Sequence, residues 1–221
     1  MQFLYHPDAG ATIVDVEGDV YRYLFKVRRH KRDETIALRN LEDDSIYFYK
    51  IERVSKKEAT LLLERKESRR VMPRRYLHIG WCTVDPKTVE KSLPLLNELG
   101  VAKISFVYCA RSQKNFRIDM ERMRRILINS SQQCGRSELM ELEILGSTEE
   151  YLLRYPKSAV LDFGGVPLSC EAGVESILIG CEGGFDEKER KLFAKRPIYG
   201  VDTPIVLRSE SAVTVAAAMS L

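Results

Sequence analysis

Three short segments in the last third of the chain combine glycines with carboxylates and an arginine, residue types that together can hold and polarise a ligand. Ile177–Phe185 reads as a buried strand running into Gly180-Cys-Glu-Gly-Gly184. Asp186 then caps a helix, with Glu189 three residues on in capping-box spacing. Glycines at such a turn let the backbone bend sharply and come close to a bound molecule. Leu161-Asp-Phe-Gly-Gly165 is a second strand exit with paired glycines, and Val206-Leu-Arg-Ser-Glu-Ser-Ala212 is a third. Neither the Gly-Lys-Ser/Thr ending of a phosphate loop nor a GxGxxG dinucleotide fingerprint is present. Each segment alone also fits an ordinary tight strand-to-helix turn. Arg208 and Glu210 open a C-terminal helix of Ala, Val and Thr that must be largely buried. Buried charge is costly, so a ligand or a partner subunit is expected to offset it.

Ser130-Ser-Gln-Gln-Cys-Gly-Arg136 ends a helix with an exposed polar tip. Arg136 could clamp a phosphate or stabilise negative charge developing on a base; it also fits a C-terminal arginine answering the helix macrodipole. Cys134 has no histidine nearby in sequence to activate it as a nucleophile. His6, His30 and His78 are scattered, and the five cysteines (Cys82, Cys109, Cys134, Cys170, Cys181) include no CxxC. That pattern predicts reduced thiols in a cytoplasm, with neither a disulfide framework nor a metal centre.

The elements that must position these residues change character along the chain. Residues 1–70 predict short strands at Asp19–Val27, Glu34–Leu38, Ser45–Ile51 and Ala59–Glu64, hence a small β-barrel or sandwich. Pro73, in the basic stretch Glu67–Arg75, marks the domain boundary, with the second domain taken as residues 71–221. There, strands at Tyr76–Val84, Lys103–Tyr108, Glu141–Leu145, Ser158–Phe163 and Ser176–Ile179 alternate with helices. The helices run from Pro86 to Leu99, from Asp119 to about Ser131, and near Thr148–Arg154, Glu187–Lys195 and Ser211–Leu221. Pro94 is expected to kink or split the first. Such alternation predicts a mostly parallel sheet covered on both faces, with all three glycine turns at the end where ligands bind in α/β folds.

At 221 residues, 44% hydrophobic and 30% charged, the chain is an ordinary globular sequence. It holds no apolar run of membrane-spanning length and no basic-then-apolar start of a secretory signal, so no membrane partner and a cytoplasmic location are expected. The net charge of +3 hides an asymmetry: residues 1–75 carry 17 Lys/Arg against 13 Asp/Glu, residues 76–221 carry 18 against 19. Arg22, Lys26, Arg28, Arg29, Lys31 and Arg32 form one basic run interleaved with Tyr21, Tyr23 and Phe25; Arg65, Lys66, Arg69, Arg70, Arg74 and Arg75 form another. One such run could be a solvated face. Two in one small domain point to a polyanion, because clustered cations gain affinity by releasing counterions from phosphates.

Gln133-Cys-Gly-Arg136, Ile179-Gly-Cys-Glu-Gly-Gly184 and Leu207-Arg-Ser-Glu-Ser211, in that order and spacing, resemble the signatures of the RsmE family, 16S ribosomal RNA uridine-N3 methyltransferases of the SPOUT superfamily. Tyr5-His-Pro7, Lys26-Val-Arg-Arg29 and Glu98-Leu-Gly-Val101 support the likeness, which covers essentially the whole chain. It departs from the usual pattern at Cys181, where proline is normal, at Gln132 for glutamate, at Asn97 for lysine, and in the linker Gly200–Val206. The resemblance implies a PUA-like β-barrel over residues 1–70, followed by a SPOUT-type α/β domain with a C-terminal deep trefoil knot. It also implies a homodimer acting on 16S ribosomal RNA of the small subunit with S-adenosyl-L-methionine as cofactor. The cofactor would be wrapped by Leu161, Phe163 and Gly164, by Ile179, Gly180, Glu182, Gly183 and Gly184, and by Val201, Val206, Leu207 and Arg208. RNA binding would fall to Arg22, Lys26, Arg28, Arg29, Lys31, Arg32, Arg69, Arg70 and Arg111. In catalysis, Arg136 and Arg208 would orient the nucleotide or stabilise negative charge, with Glu182 or Glu210 as proton acceptor. Alternatives of other kinds are methylation of a ribose 2′-hydroxyl or another base, and a non-catalytic RNA-binding module.

Overall fold

The structure, a computed structural model, describes residues 2–221. The chain divides into two compact units: Met1–Met72 joined by Ser131–Leu139, and Pro73–Ser130 joined by Met140–Leu221.

In the first unit, β1 (Leu4–Tyr5), β2 (Ile13–Glu17), β3 (Thr35–Arg39), β4 (Ser45–Val54) and β5 (Glu58–Ser68) form one sheet in the order β1-β3-β4-β5-β2. Only β1 against β3 is parallel. Alternation sets the inward face: Val14 and Val16 of β2 meet Tyr47, Tyr49 and Ile51 of β4 and Ala59 and Leu61 of β5 in one core. The segment 6–12 joins the two edge strands across the open side of the sheet. There the Tyr49 hydroxyl donates to the Ala11 carbonyl (2.8 Å) and accepts from the Gly10 amide (2.9 Å).

Asp19–Val27 is not a strand. It is a helix, α1 (Gly18–Tyr21), continuing as a six-residue π-helix over Arg22–Val27, with Arg28 N–H donating to the Tyr23 carbonyl. Its buried residues, Tyr21 and Leu24, are three apart, so only a helix presents both to the core. Packing overrides the strand preference of the tyrosines, phenylalanine and valines. The return segment Ser131–Leu139 is stitched to this unit. Gln132 accepts the Tyr5 amide on Oε1 and the Gln2 amide on its carbonyl, both at 2.8 Å, and Ser137 exchanges hydrogen bonds with Val71.

The second unit holds β6 (His78–Cys82), α2 (Pro86–Leu99), β7 (Lys103–Val107), α3 (Met120–Cys134), β8 (Glu141–Leu145), α4 (Thr148–Arg154), β9 (Ala159–Pro167), β10 (Ser176–Ile179), α5 (Glu187–Leu192), β11 (Ile198–Gly200) and α6 (Ser209–Ser220); the last turn of α3 runs into the first unit. The six strands are all parallel, in the order β11-β9-β10-β6-β7-β8. β6 is buried along its whole length, as a central strand covered on both faces must be. From β6 the chain moves outward through β7 to β8, then returns to the opposite side and places β10 between β9 and β6. That reversal is the switch point at which α/β folds open a crevice beyond the carboxyl ends of their strands.

α2 begins with the Asp85 carboxylate accepting the Lys87 amide and ends at Gly100, whose φ of 102° suits the glycine. It is not split at Pro94. Val89, Leu93, Leu96 and Asn97 keep one buried face on both sides of the proline. β9 runs four residues past the expected exit at Phe163. β11 pairs with it at Ile198↔Val160 and again at Tyr199↔Val166, so residues 161–165 bulge out of the ladder.

Candidate functional site

That bulge is the first wall of a cavity of about 220 Å³ at the carboxyl ends of β9, β10 and β11. Leu161–Gly165 forms one side, Ile179–Cys181 with Glu182, Gly184 and Phe185 the second, and residues drawn from 200–212 the third. The volume is near the lower edge of small-molecule sites, which run from roughly 300 Å³ upward. Its lining sets Asp162, Glu182, Thr203 and Ser209 among the apolar Phe163, Ile205, Val206 and Leu207.

Glycine is required at one position by space. A Cβ on Gly165 would lie 2.4 Å from the Tyr199 carbonyl carbon, so only glycine lets the bulge close against β11. Gly164 and Gly184 instead have φ of 73° and 64° with open space beside them. At both the backbone conformation, not the space, calls for glycine.

Several side chains hold the walls in place. Ser209, 4% exposed at the start of α6, donates to the Gly180 carbonyl (2.7 Å) and accepts from the indole of the fully buried Trp81 (2.9 Å). Asp162 takes both oxygens to Arg190, at 2.9 and 3.1 Å, tying the bulge to α5. The capping box of α5 is complete: Asp186 accepts the Glu189 amide and the Glu189 carboxylate accepts the Asp186 amide. Glu189 also accepts from Thr148 Oγ1 (2.6 Å) and the Ala110 amide (3.0 Å). Arg111 donates to the Gly183 carbonyl.

Leu161, Phe163, Gly164, Ile179, Gly180, Glu182, Gly184, Val201, Val206 and Leu207 are brought together around the cavity; Gly183 and Arg208 are adjacent in sequence but do not line it. Glu182 is exposed at the rim, Arg208 is exposed at the N-cap of α6, and Glu210 is half-buried in its first turn. Arg136 belongs to the first unit and is 4% exposed. Burial pulls its guanidinium pKa down, against Cys134 and Glu138. The expected exposed tip around it is therefore mostly interior, and only Gln133 and Cys134 face solvent: Ser130 is buried in the second unit against Asn97 and Pro94, while Ser131 and Gln132 are buried in the segment that belongs to the first unit. Arg22, Lys26, Arg28, Arg29, Lys31 and Arg32 are all exposed, as are Arg69 and Arg70. Arg28 donates to the Tyr23 hydroxyl (2.8 Å), while Arg69 and Arg70 pair with Glu67 and Asp44. Arg111 lies at the cavity turn in the second unit.

Ser209 and Asp162 were not singled out from the sequence. Ser209 stands between two charged neighbours at the first position of α6, where a Ser beside a helix start is a recognised signal. Among the described residues no group of His, Cys, Asp and Glu could hold a metal ion, and no helix is long and apolar enough to cross a membrane.

A family model described as an RNA methyltransferase domain matches residues 72–220, and one described as an RNA methyltransferase PUA domain matches residues 16–64. A Helicobacter pylori protein named ribosomal RNA small subunit methyltransferase E is 44% identical over 216 residues, spanning 96% of each chain. The chain belongs to this family. Solved structures with the same fold include a probable rRNA-methyltransferase from Porphyromonas gingivalis, with TM-score 0.86, 21% identity, and 98% and 95% of the two chains covered. Another is a ribosomal RNA small subunit methyltransferase E from Neisseria gonorrhoeae bound to S-adenosyl methionine, with TM-score 0.82, 19% identity, and 99% and 95% covered. As a ribosomal RNA small subunit methyltransferase E family member the chain is an RNA methyltransferase, and its PUA-type unit precedes its methyltransferase unit.

Proposed function

We propose that this protein methylates N3 of one specific uridine in 16S ribosomal RNA, using S-adenosylmethionine. The observation that carries the reading is the cavity at the carboxyl ends of β9, β10 and β11, built from three glycine-bearing stretches in a chain of this family. Its donor set suits that cofactor. The polar groups of Glu182 and Thr203 and main chain of the glycine-bearing stretches can pair with an adenine and an amino-acid end, and Phe163, Ile205 and Val206 offer apolar surface to the rest. When bound, the cofactor supplies an electrophilic methyl group on its sulfonium sulfur.

The protein's own task is to position the uracil in line with that methyl group and to handle one proton. Uracil N3 carries a hydrogen at neutral pH, which must leave as the N–C bond forms. Glu182 at the rim or Glu210 in the first turn of α6 is the acceptor. Arg208, exposed at the N-cap of α6, orients the nucleotide or stabilises the negative charge that builds on its carbonyl oxygens. The exposed cations of segment 22–32, together with Arg69, Arg70 and Arg111, hold the RNA backbone.

The working form is a cytoplasmic homodimer with a trefoil knot in its last segment. The knot reading is supported by β10 lying between β9 and β6 while Ser209 fastens the start of α6 to Gly180 and Trp81. The dimer is supported by apolar side chains left open beside the cavity: Phe163 is 69% exposed, Ile205 and Val206 each 71%.

Nucleoside mass spectrometry of 16S ribosomal RNA from a strain lacking the gene tests the reading. Loss of 3-methyluridine, restored by the wild-type gene, is expected. Its persistence would overturn the assignment.

A further inference from the structure

Three of the five cysteines converge behind the cavity. Cys82 ends β6, Cys109 follows β7, and Cys181 sits in the turn after β10; all three are buried free thiols. Cys109 Sγ lies 3.5 Å from Cys181 Sγ and 3.2 Å from Ser112 Oγ. Cys181 lines the cavity, and Cys109 backs it from the neighbouring loop. Each is 6% exposed, so neither is sealed from a small solute. The next two residues of that loop brace the same region: Ala110 donates to Glu189 and Arg111 to the Gly183 carbonyl.

We propose that Cys109 and Cys181 form a redox modification site, whose oxidation to a disulfide pulls the Gly180–Gly184 turn out of its ligand-holding geometry. The effect on the ligand rests on reading the cavity as the S-adenosylmethionine site; formation of the bond does not.

A disulfide needs its sulfurs about 2.0 Å apart, so roughly 1.5 Å is taken up by rotation of the two side chains together with the chain that carries them. The turn is the softer side, with glycines at 180, 183 and 184, whereas Cys109 lies two residues past a strand buried within the sheet. Cys181 and Gly184 are joined by the hydrogen bond that shapes the turn (2.9 Å), so moving Cys181 moves the cavity wall.

The chemistry runs from Cys109. Hydrogen bonding with Cys181 and Cys82, then with Ser112 and the Arg111 amide, holds its thiol well below the usual range despite burial. The thiolate is the attacking species. With hydrogen peroxide as oxidant, Cys109 sulfur attacks one peroxide oxygen, the O–O bond breaks, and the departing hydroxide is protonated to water. The resulting sulfenic acid is attacked by Cys181 sulfur, which gives up its proton as the hydroxyl leaves as a second water. Two thiols and one peroxide become one disulfide and two waters.

The test uses the full-length chain treated with graded hydrogen peroxide, with non-reducing peptide mass spectrometry and calorimetric titration of S-adenosylmethionine on the same samples. A linked peptide pair containing Cys109 and Cys181 should appear and vanish with dithiothreitol. Cofactor affinity should fall at least tenfold with it and recover on reduction. Cys109→Ser should lose the linked pair and keep its own reduced affinity after oxidant, while Cys82→Ser, which keeps both reacting sulfurs, should still form the pair and lose affinity with it. The proposal is overturned if oxidation bypasses the pair in the wild-type chain, or if the bond forms and affinity is unchanged. If the reduced protein binds no cofactor while the bond still forms, it is the cofactor reading that fails, and the claimed effect on the ligand with it.

Discussion

Ser209 hydrogen-bonds Gly180 across 29 positions of sequence, donating to its carbonyl at 2.7 Å while accepting from the Trp81 indole at 2.9 Å. One hydroxyl thereby connects the start of α6, the turn after β10 and the centre of the sheet. Ser209→Ala leaves a buried indole N–H without this acceptor, a loss of about 1–3 kcal/mol. Urea unfolding should show that loss, and S-adenosylmethionine should bind at least several-fold more weakly. Unchanged affinity in a folded variant would separate Ser209 from the ligand.

Gly165 and Gly164 should respond differently to alanine. At Gly165 the new Cβ meets the Tyr199 backbone at 2.4 Å, so β11 must detach from the bulge and the cavity lose its shape. At Gly164 there is open space, and the cost is only the strain of φ 73°, about 1–2 kcal/mol. Thermal melts paired with cofactor titration distinguish them. The Gly165 variant should lose binding, and the Gly164 variant should melt a few degrees lower and still bind. Equal behaviour of the two would contradict the close-approach argument.

Acid should destabilise the second unit in two stages. Burial, helped by Lys103, lowers the His78 pKa from 6.5 to about 4, against the pull of Glu143. The unfolded chain therefore takes up a proton that the folded one refuses, and stability falls as pH drops from 6.5 toward 4. Burial alone would raise Glu143, but hydrogen bonds from Ser105 and Tyr155 and the charge of Lys103 bring it from 4.5 to about 2. Its contribution is present above pH 4.5 and is lost as pH falls toward 2. Urea midpoints across pH 7 to 3 should slope throughout. His78→Gln should flatten the upper part and Glu143→Gln the lower. A wild-type profile level between pH 6.5 and 4 would show that His78 is not held neutral.

Replacing Arg28, Arg29, Lys31 and Arg32 together by glutamine should weaken RNA binding without unfolding the first unit, since all four are exposed. Each phosphate contact removed should lower the slope of log affinity against log salt by about 0.7–0.9. Fluorescence anisotropy with a 16S fragment over a salt series reads both quantities. A variant with the wild-type slope would place the RNA elsewhere.

The parallel strands were legible because each is a continuous apolar run between glycine or proline signals, and Gly100 and Asp186 marked helix ends by their own chemistry. The glycine turns likewise announced a cavity. What was hidden depended on distant partners. Asp19–Val27 carries strand-forming residues, yet Tyr21 and Leu24 fit the core only on a helix. The bulge at 161–165 exists because a three-residue strand far along the chain pairs on either side of it. Arg136 looked exposed because nothing local shows that Gln132 and Ser137 anchor its segment to residues 2–71.

That anchoring makes the chain enter its first unit twice, with 58 residues of the second unit, Pro73–Ser130, spliced between the visits. The unit is thus not a bead on a string. A fragment ending at Met72 would expose the Gln2, Tyr5 and Val71 amides that Gln132 and Ser137 now satisfy. No single cut or fusion transfers it whole, so gene rearrangement can move these two units only as a pair.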